Sequence, residues 1–369
     1  MAALCAAACA GPRDNPRAEP ELAPSGGTEA EESPLARTQR LALAGDAAAQ
    51  FSLGSAYETG AELPLDLAEA AHWYLLSAAQ GFVPAQQNLG LLHLEGRGVR
   101  RDPALAATWF RPAAENGLPR AQYLLACLYQ RGEGVPRDEA EAARWLEAAA
   151  RQDLALAQAD LGLALIEGRG VAADAAAGAG WVRRAADQGL PAAQTNLALL
   201  CAQGIGVPRD EAQAAWWLQR AALQGFAPAQ DKLGLAYVRG TGMPADPEEG
   251  ARWLRLAADQ GLPVAQTNLG LLYLQGQGVP EDHALAASWF QRAAEQGFAP
   301  AQAKLGAMHE HGRGVEQDAV AAYAWYSLAA EAGDEAARRG RDALAPSLTA
   351  PQREAAEERI RAWAHRPAR

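Results

Sequence analysis

The chain has 369 residues, 44 acidic and 33 basic side chains, and a formal net charge of −11. This acidic balance disfavours nucleic acid as a partner, because binding to a phosphate backbone needs a basic surface. No segment is apolar over enough residues to predict a membrane-spanning helix.

The first ten residues, Met1 to Ala10, are apolar and small, and Ala8 and Ala10 fit a signal-peptidase site. The segment is short and has no positively charged start. A truncated secretion signal and a random alanine-rich start therefore both stay open. Lipid attachment at Cys9 is a further alternative, although the leucine of a good lipobox is missing. A periplasmic or envelope-associated location is slightly favoured over a cytoplasmic one.

The next segment, residues 11–33, is rich in proline, glycine and glutamate and has no apolar periodicity. This composition predicts a disordered linker. Residues 34–48 contain a predicted N-terminal capping helix. It resembles the second helix of a degenerate repeat, because Gly45 falls where such a helix should end.

From residue 49 to residue 333 the sequence repeats eight times with a period of 36 residues. We number each repeat from the alanine of its Ala-Gln pair, so that leucine stands at position 5, glycine at 12, aspartate at 18 and tryptophan at 25. The tryptophans that mark the period are Trp73, Trp109, Trp145, Trp181, Trp217, Trp253, Trp289 and Trp325. Such regular spacing predicts one elongated stack of similar units instead of a compact enzyme domain.

Each repeat is predicted to form two helices. Positions 1, 5, 8 and 9 share one face of the first helix, and positions 22, 25, 26 and 29 share one face of the second. Glycine at position 12 ends the first helix in a left-handed conformation, and aspartate at position 18 caps the second helix. The glutamine at position 2 is expected to bond to the backbone of a neighbouring loop.

Three repeats depart from this pattern. In the first, Glu62 replaces the second loop glycine, as a terminal repeat allows. Asp153 replaces the glycine that should end the third repeat, which predicts a strained connection. Gly178 and Gly180 lie inside the second helix of the fourth repeat, and each is expected to cost about 1 kcal/mol relative to alanine. The fourth repeat is therefore predicted to be the softest part of the stack.

The pattern fades after Gly333, and residues 334–369 are predicted to form C-terminal capping helices. The last of these begins at a capping box formed by Thr349 and Gln352. Polar end helices of this kind protect the open ends of a repeat stack.

The combined pattern A-x-x-x-L-G-x-x-Y, G-x-G-V-x-x-D and A-x-x-W-x-x-x-A-A-x-x-G resembles the Sel1-like repeat family. This bacterial-type family is related to the tetratricopeptide repeats. The resemblance implies an all-α fold, a right-handed α/α superhelical solenoid of helix-turn-helix repeats. It also implies a non-enzymatic adaptor or scaffold that binds partner proteins or peptides. We expect a monomer and no cofactor.

A cysteine-rich secreted branch of the same family, in which paired cysteines link each unit, has been associated with β-lactam binding or hydrolysis. A β-lactam-binding or β-lactamase-like enzyme is therefore the alternative function. Only Cys127 and Cys201 lie inside the repeats, and we expect them to be too far apart for a disulfide. No catalytic or metal-binding cluster is predicted, since His93 and His309 occupy an aromatic position of the repeat.

If the first helices line an inner surface, positions 3, 7, 10 and 11 share the face that is predicted to form a partner-binding groove. Position 7 would supply an apolar floor, which includes Leu91 and Cys127. The candidate groove residues are Tyr123, Arg131, Thr195, Leu199, Gln203, Asp231, Leu235, Arg239, Thr267, Leu271 and Gln275. The alternative is that the leucines at position 7 are consumed by packing between neighbouring first helices.

Position 4 lies nearer the rim of the predicted groove. The polar residues there are Asn88, Asn196, Lys232, Asn268 and Lys304. They are candidates for recognising carboxylate groups, and solvated surface is the alternative interpretation for each of them.

Overall fold

The computed structural model describes residues 32–364, and this range contains 19 α-helices, one short 3-10 segment and no strand. The predictions for residues 1–10, including Cys9, and for most of the linker at 11–33 lie outside the described residues. The helices divide into two compact units, which meet in the sequence between Leu190 and Pro191.

We number the helices in chain order. The N-terminal unit contains α1 (Pro34–Leu43), α2 (Ala47–Thr59), α3 (Leu67–Ala79), α4 (Val83–Glu95), α5 (Pro103–Glu115), α6 (Pro119–Arg131), α7 (Glu139–Ala150), α8 (Ala155–Glu167) and α9 (Ala175–Asp187). The C-terminal unit contains α10 (Pro191–Gln203), α11 (Glu211–Leu223), α12 (Ala227–Arg239), α13 (Pro247–Asp259), α14 (Pro263–Gln275), α15 (His283–Glu295), α16 (Ala299–His311), α17 (Ala319–Glu331), α18 (Glu335–Leu344), a 3-10 turn (Ala345–Ser347) and α19 (Ala350–Ala364). The pairs from α2/α3 to α16/α17 are repeats 1 to 8.

The predicted end of the first helix, at the glycine of position 12, and the predicted start of the second helix, at the aspartate of position 18, are confirmed. At the end of α4, Gly96 has a φ of 70° and its amide donates to the carbonyl of Leu92. At the start of α5, Asp102 accepts the amide of Leu105 at 2.9 Å. The aspartate at position 18 accepts a backbone N–H in all eight repeats. Each such bond satisfies an otherwise unpaired amide of the first turn.

The second loop glycine has a role that the sequence did not reveal. A Cβ placed on Gly170 would lie 1.9 Å from the carbonyl oxygen of Glu139, which belongs to the preceding repeat. Gly134 and Gly278 make the same approach to the backbone of the repeat before them. This glycine therefore allows successive repeats to pack closely, because the Cβ of any other residue would clash with the backbone of the preceding repeat.

The second helices carry the largest buried side chains. Position 26 is fully buried in six repeats, which contribute Tyr74, Phe110, Leu146, Val182, Leu254 and Phe290 at 0% exposure. The tryptophan at position 25 is more exposed than its position 26 neighbour in these six repeats, and more buried in repeats 5 and 8, where Trp217 and Trp325 are 3 and 1% exposed. Arginine side chains cover the indoles of Trp181 and Trp289 at 4.5 and 4.4 Å from the ring centres. The stack is thus anchored by positions 25 and 26 together.

The glutamine at position 2 bonds to a preceding helix end instead of a loop. The Gln122 amide donates to the carbonyl of Ala114 at 3.0 Å, eight residues earlier in the last turn of α5. Its own oxygen accepts from Gln152 at 2.9 Å. Equivalent pairs join Gln50 to Gln80, Gln158 to Gln188, Gln230 to Gln260 and Gln266 to Gln296. The buried amide links three helices and satisfies a terminal carbonyl.

The N-terminal helix behaves as the end of a partial repeat. Helix α1 ends at Leu43, Gly45 follows with a φ of 94°, and the Gln50 side chain donates to the carbonyl of Ala42 at 3.2 Å. This is the same contact that joins full repeats.

The last helix packs on the final repeat in the C-terminal unit. The Trp363 ring stacks on Trp325 with ring centres 3.7 Å apart, and Arg359 bonds to Asp318 at 2.7 Å. Gln352 accepts the amide of Thr349 at 2.9 Å, as expected at the start of α19. The end of the stack is therefore covered by an aromatic contact and an ion pair.

Candidate partner-binding surface

The predicted groove residues separate into a buried set and an accessible set. Tyr123, Thr195, Asp231 and Thr267, all at position 3, are 0 to 5% exposed. They lie against neighbouring helices, so we leave them out of the accessible surface. Sequence periodicity did not reveal this, because it fixes the face of a helix but not which neighbour covers it.

Two of these buried side chains join adjacent first helices. Tyr123 of α6 donates its hydroxyl to Asp160 of α8 at 3.0 Å, and Asn268 of α14 donates its amide to Asp231 of α12 at 2.7 Å. Both bonds connect position 3 of one repeat to position 4 of the next. Position 3 therefore belongs to the contact between repeats.

The buried carboxyl groups have perturbed acidity. Burial raises the pKa of Asp160 from 3.8 to about 6, although the Tyr123 hydroxyl opposes this. Burial also raises the pKa of Asp231, against the hydrogen bond from Asn268 and the charges of Lys232 and Arg239. In both cases removal from water disfavours the ionised form.

The accessible set lies at positions 7 and 11. Leu199, Leu235 and Leu271 are partly exposed on α10, α12 and α14. The residues at position 11, which are Arg131, Gln203, Arg239 and Gln275, are exposed. By contrast, Leu91 and Cys127 at position 7 of the N-terminal unit are only 1 and 5% exposed. Leu163 of repeat 4 is partly exposed. A row of three accessible leucines is therefore found at position 7 of the C-terminal unit, whereas the N-terminal unit has one.

A cavity of about 270 Å³ opens within this accessible surface, between α10, α11 and α12. Its apolar lining consists of Ala198, Leu199, Ala202, Ala214, Ala215, Leu218, Leu235 and Ala236. Polar side chains complete the lining at Glu211, Lys232, Arg239 and Thr241. Three of the predicted groove residues, Leu199, Leu235 and Arg239, thus share one cavity.

The cavity lies where repeat 5 has a small residue at position 10. In repeat 4, glycines let the two helices approach so closely that a Cβ on Gly178 would lie 2.5 Å from the oxygen of Gly162. Repeat 5 has Ala198 and Ala214 at these two positions, and their methyl groups do not permit the same approach. Ala202, at position 10, then fails to fill the space, where other repeats have larger side chains.

Two further repeats show what normally fills this space. Leu94 of repeat 2 and Leu274 of repeat 7 stand at position 10, opposite Phe110 and Phe290. Those two phenylalanines are 0% exposed, whereas Leu218, the corresponding residue of repeat 5, is 8% exposed. Comparing position 10 across the repeats would have revealed the cavity from the sequence.

Two positively charged side chains and one carboxylate line the cavity. Lys232 and Arg239 both line it from α12. Neither forms an ion pair with another described residue, whereas the lining carboxylate of Glu211 is paired with Arg209. The site therefore combines an apolar interior with two available cations.

Several other features of the described residues bear on function. Between residues 32 and 364, no group of three or more histidine, cysteine, aspartate or glutamate side chains is arranged to hold a metal ion. Within the same range, no helix has the length and hydropathy needed to cross a membrane. Cys127 and Cys201 are both buried.

The architecture defines an all-α solenoid built from helix-turn-helix repeats. The model of the Sel1 repeat matches eight consecutive segments, at residues 47–82, 83–118, 119–154, 155–190, 191–226, 227–262, 263–298 and 299–334. The chain therefore belongs to the Sel1 repeat family. The matches begin two residues before our predicted first repeat and end one residue after the last.

Solved structures support this assignment. A Sel1 repeat protein from Oxalobacter formigenes is 36% identical, with 89% of this chain and 98% of that chain covered and a TM-score of 0.68. The chain is also similar to c5321, a protective antigen of uropathogenic Escherichia coli strains with an SLR fold. That protein is 28% identical over 90% of this chain and 95% of its own, with a TM-score of 0.55. No curated protein matches the chain significantly. Sel1 repeat proteins are generally non-enzymatic scaffolds, and their repeats typically take part in protein interactions.

Proposed function

We propose that this protein is a non-enzymatic scaffold that binds a partner protein or peptide on the first helices of its C-terminal unit. The observation that carries the proposal is the row of partly exposed leucines Leu199, Leu235 and Leu271. Each stands at the same position of successive repeats, with a polar residue one turn further along the helix. Apolar anchors edged by polar groups suit an extended peptide or an amphipathic helix.

The proposed binding surface consists of Leu199, Gln203, Leu235, Arg239, Leu271 and Gln275. Burial of three leucine side chains supplies apolar contact, and the residues at position 11 offer hydrogen bonds or charge at the edge. Arg131 of the N-terminal unit is exposed but lacks such a floor, since Leu91 and Cys127 are buried. We therefore propose that binding is concentrated in the C-terminal unit.

The experiment begins with crosslinking in the native host, which identifies bound proteins. The partner is then tested against chains carrying Leu199→Glu, Leu235→Glu or Leu271→Glu. A charge on the apolar floor is expected to weaken binding by at least about tenfold, because the partner's apolar contact is lost.

The matched control is Leu223→Glu on the second helix α11, where the leucine is 69% exposed outside the proposed surface. This variant is expected to bind the partner normally. Equal loss of binding in the control, or normal binding in all three floor variants, would argue against the proposed surface. Circular dichroism of each variant establishes that it is folded.

No observation favours the β-lactam alternative. The cysteine-rich branch that motivates it has paired cysteines in each unit, whereas the eight repeats of this chain contain only Cys127 and Cys201, both buried. A nitrocefin hydrolysis assay tests the alternative directly, and we expect no turnover.

A further inference from the structure

The size of the repeat 5 cavity limits what it can hold. Its volume of about 270 Å³ exceeds the ~150 Å³ that accommodates a benzene ring in a protein interior. It falls just below the range of about 300–1,000 Å³ that is usual for whole small-molecule ligands. The cavity therefore fits one large apolar side chain whose backbone remains outside.

The two cations at the cavity favour an occupant that carries negative charge. Lys232 and Arg239 are seven residues apart on α12, which corresponds to about 10 Å along the helix axis. Two carboxylate side chains, one on each side of an apolar anchor, give each cation its own partner.

The spacing of those carboxylates follows from extended-chain geometry. An extended peptide advances about 3.3 Å per residue and its side chains alternate between two faces, so residues four apart share a face and are separated by about 13 Å. A partner segment with two acidic residues four positions apart, and a large apolar residue midway between them, points all three side chains toward the protein. The apolar side chain then enters the cavity, and the carboxylates lie near the flexible side chains of Lys232 and Arg239.

We propose that the repeat 5 cavity is a specificity pocket for an acidic partner segment that inserts one phenylalanine- or leucine-sized side chain between two carboxylates. This inference rests on the proposed function and names the chemistry of the partner. It assigns Ala202 as the residue that keeps the pocket open, and Lys232 and Arg239 as the residues that recognise acidic side chains.

Other repeats of the protein show which substitution closes the pocket without disturbing the fold. Leucine already occupies position 10 in repeats 2 and 7, as Leu94 and Leu274. Ala202→Leu is therefore expected to fill the cavity while preserving the fold, and the melting temperature should stay the same or rise. Lys232→Gln and Arg239→Gln remove the two charges with little change in volume.

Matched controls are available at the same repeat positions. Lys304→Gln removes a lysine from position 4 of repeat 8, and Arg131→Gln removes an arginine from position 11 of repeat 3. Neither of these residues lines the cavity. The controls separate loss of a local contact from a general change in the charge of the chain.

The probe is a phage-displayed library of random twelve-residue peptides, panned on the full chain. Enriched peptides are then synthesised, and their binding is measured by fluorescence anisotropy. We expect enrichment of sequences with a large apolar residue midway between acidic residues four apart. Their affinity should fall about tenfold or more in Ala202→Leu and several-fold in Lys232→Gln and Arg239→Gln. Lys304→Gln and Arg131→Gln should bind like the unaltered chain.

The outcomes distinguish this inference from the proposed function. Enriched peptides without acidic residues, or peptides whose binding survives Ala202→Leu, overturn the inference. If those same peptides lose binding with Leu271→Glu, the scaffold proposal stands without the pocket. Failure of both the library and native-host crosslinking to give a partner sensitive to the leucine variants counts against both proposals.

Discussion

The two units differ at the same repeat positions although they share one sequence pattern. At position 7, Leu91 and Cys127 of the N-terminal unit are 1 and 5% exposed, whereas Leu199, Leu235 and Leu271 of the C-terminal unit are partly exposed. The side chains at position 3 differ as well. Repeats 1 to 3 of the N-terminal unit have the large Phe51, Gln87 and Tyr123 there, and the C-terminal unit has the smaller Thr195, Asp231, Thr267 and Ala303. Repeat 4, with Ala159 at position 3 and a partly exposed Leu163 at position 7, resembles the C-terminal unit.

The difference shows how a repeat fold separates structure from binding. Leu91, Tyr123 and Cys127 belong to one buried apolar cluster. Large side chains at position 3 thus accompany a closed surface, and small ones accompany an accessible floor. The fold requires the caps, loop glycines and residues at positions 25 and 26, which leaves position 3 free to vary.

The largest loss of stability is expected for substitution of Tyr123, because its side chain at position 3 is part of the buried core. Tyr123→Ala removes a fully buried ring and the hydrogen bond to Asp160, which should lower the free energy of unfolding by about 3–5 kcal/mol. Thr267→Ala, at the same position of the C-terminal unit, should cost about 1 kcal/mol, because its hydroxyl bonds only within its own helix, to Pro263. Urea unfolding followed by circular dichroism measures both. Similar losses of unfolding free energy in the two variants would contradict the proposed difference between the units at position 3.

Position 7 provides a second comparison. Leu91→Ala creates a cavity in a closed core and should cost about 3 kcal/mol, whereas Leu235→Ala should cost about 1 kcal/mol, since part of this side chain already contacts water. The measurement is the urea midpoint at constant m-value. A larger loss for Leu235→Ala would mean that the leucines of the C-terminal unit serve packing instead of binding.

The raised pKa of Asp160, a buried carboxyl of the N-terminal unit, makes stability depend on pH. The pKa of Asp160 is raised to about 6 from an ordinary 3.8, so its contribution to stability is fully present below about pH 4 and is lost as the pH rises through 6. Asp160→Asn removes this dependence and should stabilise the chain at pH 7 relative to pH 4 by up to about 3 kcal/mol. Thermal unfolding of both chains between pH 4 and pH 7 tests this. An unchanged pH dependence in the variant would contradict the assigned burial.

The smallest effect concerns the two glycines of helix α9. Gly180 has open space around its Cα, so Gly180→Ala should stabilise the helix by about 1 kcal/mol. Gly178→Ala should destabilise it, because the new Cβ would lie 2.5 Å from the Gly162 oxygen. Thermal unfolding provides the comparison. Stabilisation by both changes would show that the close approach of α8 and α9 is unimportant.

Gly178 and Gly180 also show which features of the fold can be predicted from the sequence. The helix pairs, the aspartate caps and the unusual backbone at Asp153, which has a φ of 62°, were predictable from local chemistry. Gly178 was predicted only as a weak helix former, because its contact with Gly162 depends on a neighbouring helix. The greater softness of repeat 4 stays a prediction, which hydrogen exchange along the chain would test.

The candidate site was predicted in part. Leu199, Leu235, Leu271 and the residues at position 11 are accessible as expected, but the position 3 residues are buried. Their environment depends on contacts between repeats, which a single helical period does not specify. The pocket at Ala202 left a signal in the sequence, since position 10 has its smallest residue in repeat 5.

The central claim is that partner binding is concentrated on the first helices of the C-terminal unit. The most direct test places the photo-crosslinking residue benzoylphenylalanine at Arg239 or at Arg131, which share position 11 in different units. With the partner identified in the native host, we predict efficient crosslinking from position 239 and little from position 131. Crosslinking from position 131 with none from position 239 would contradict the account.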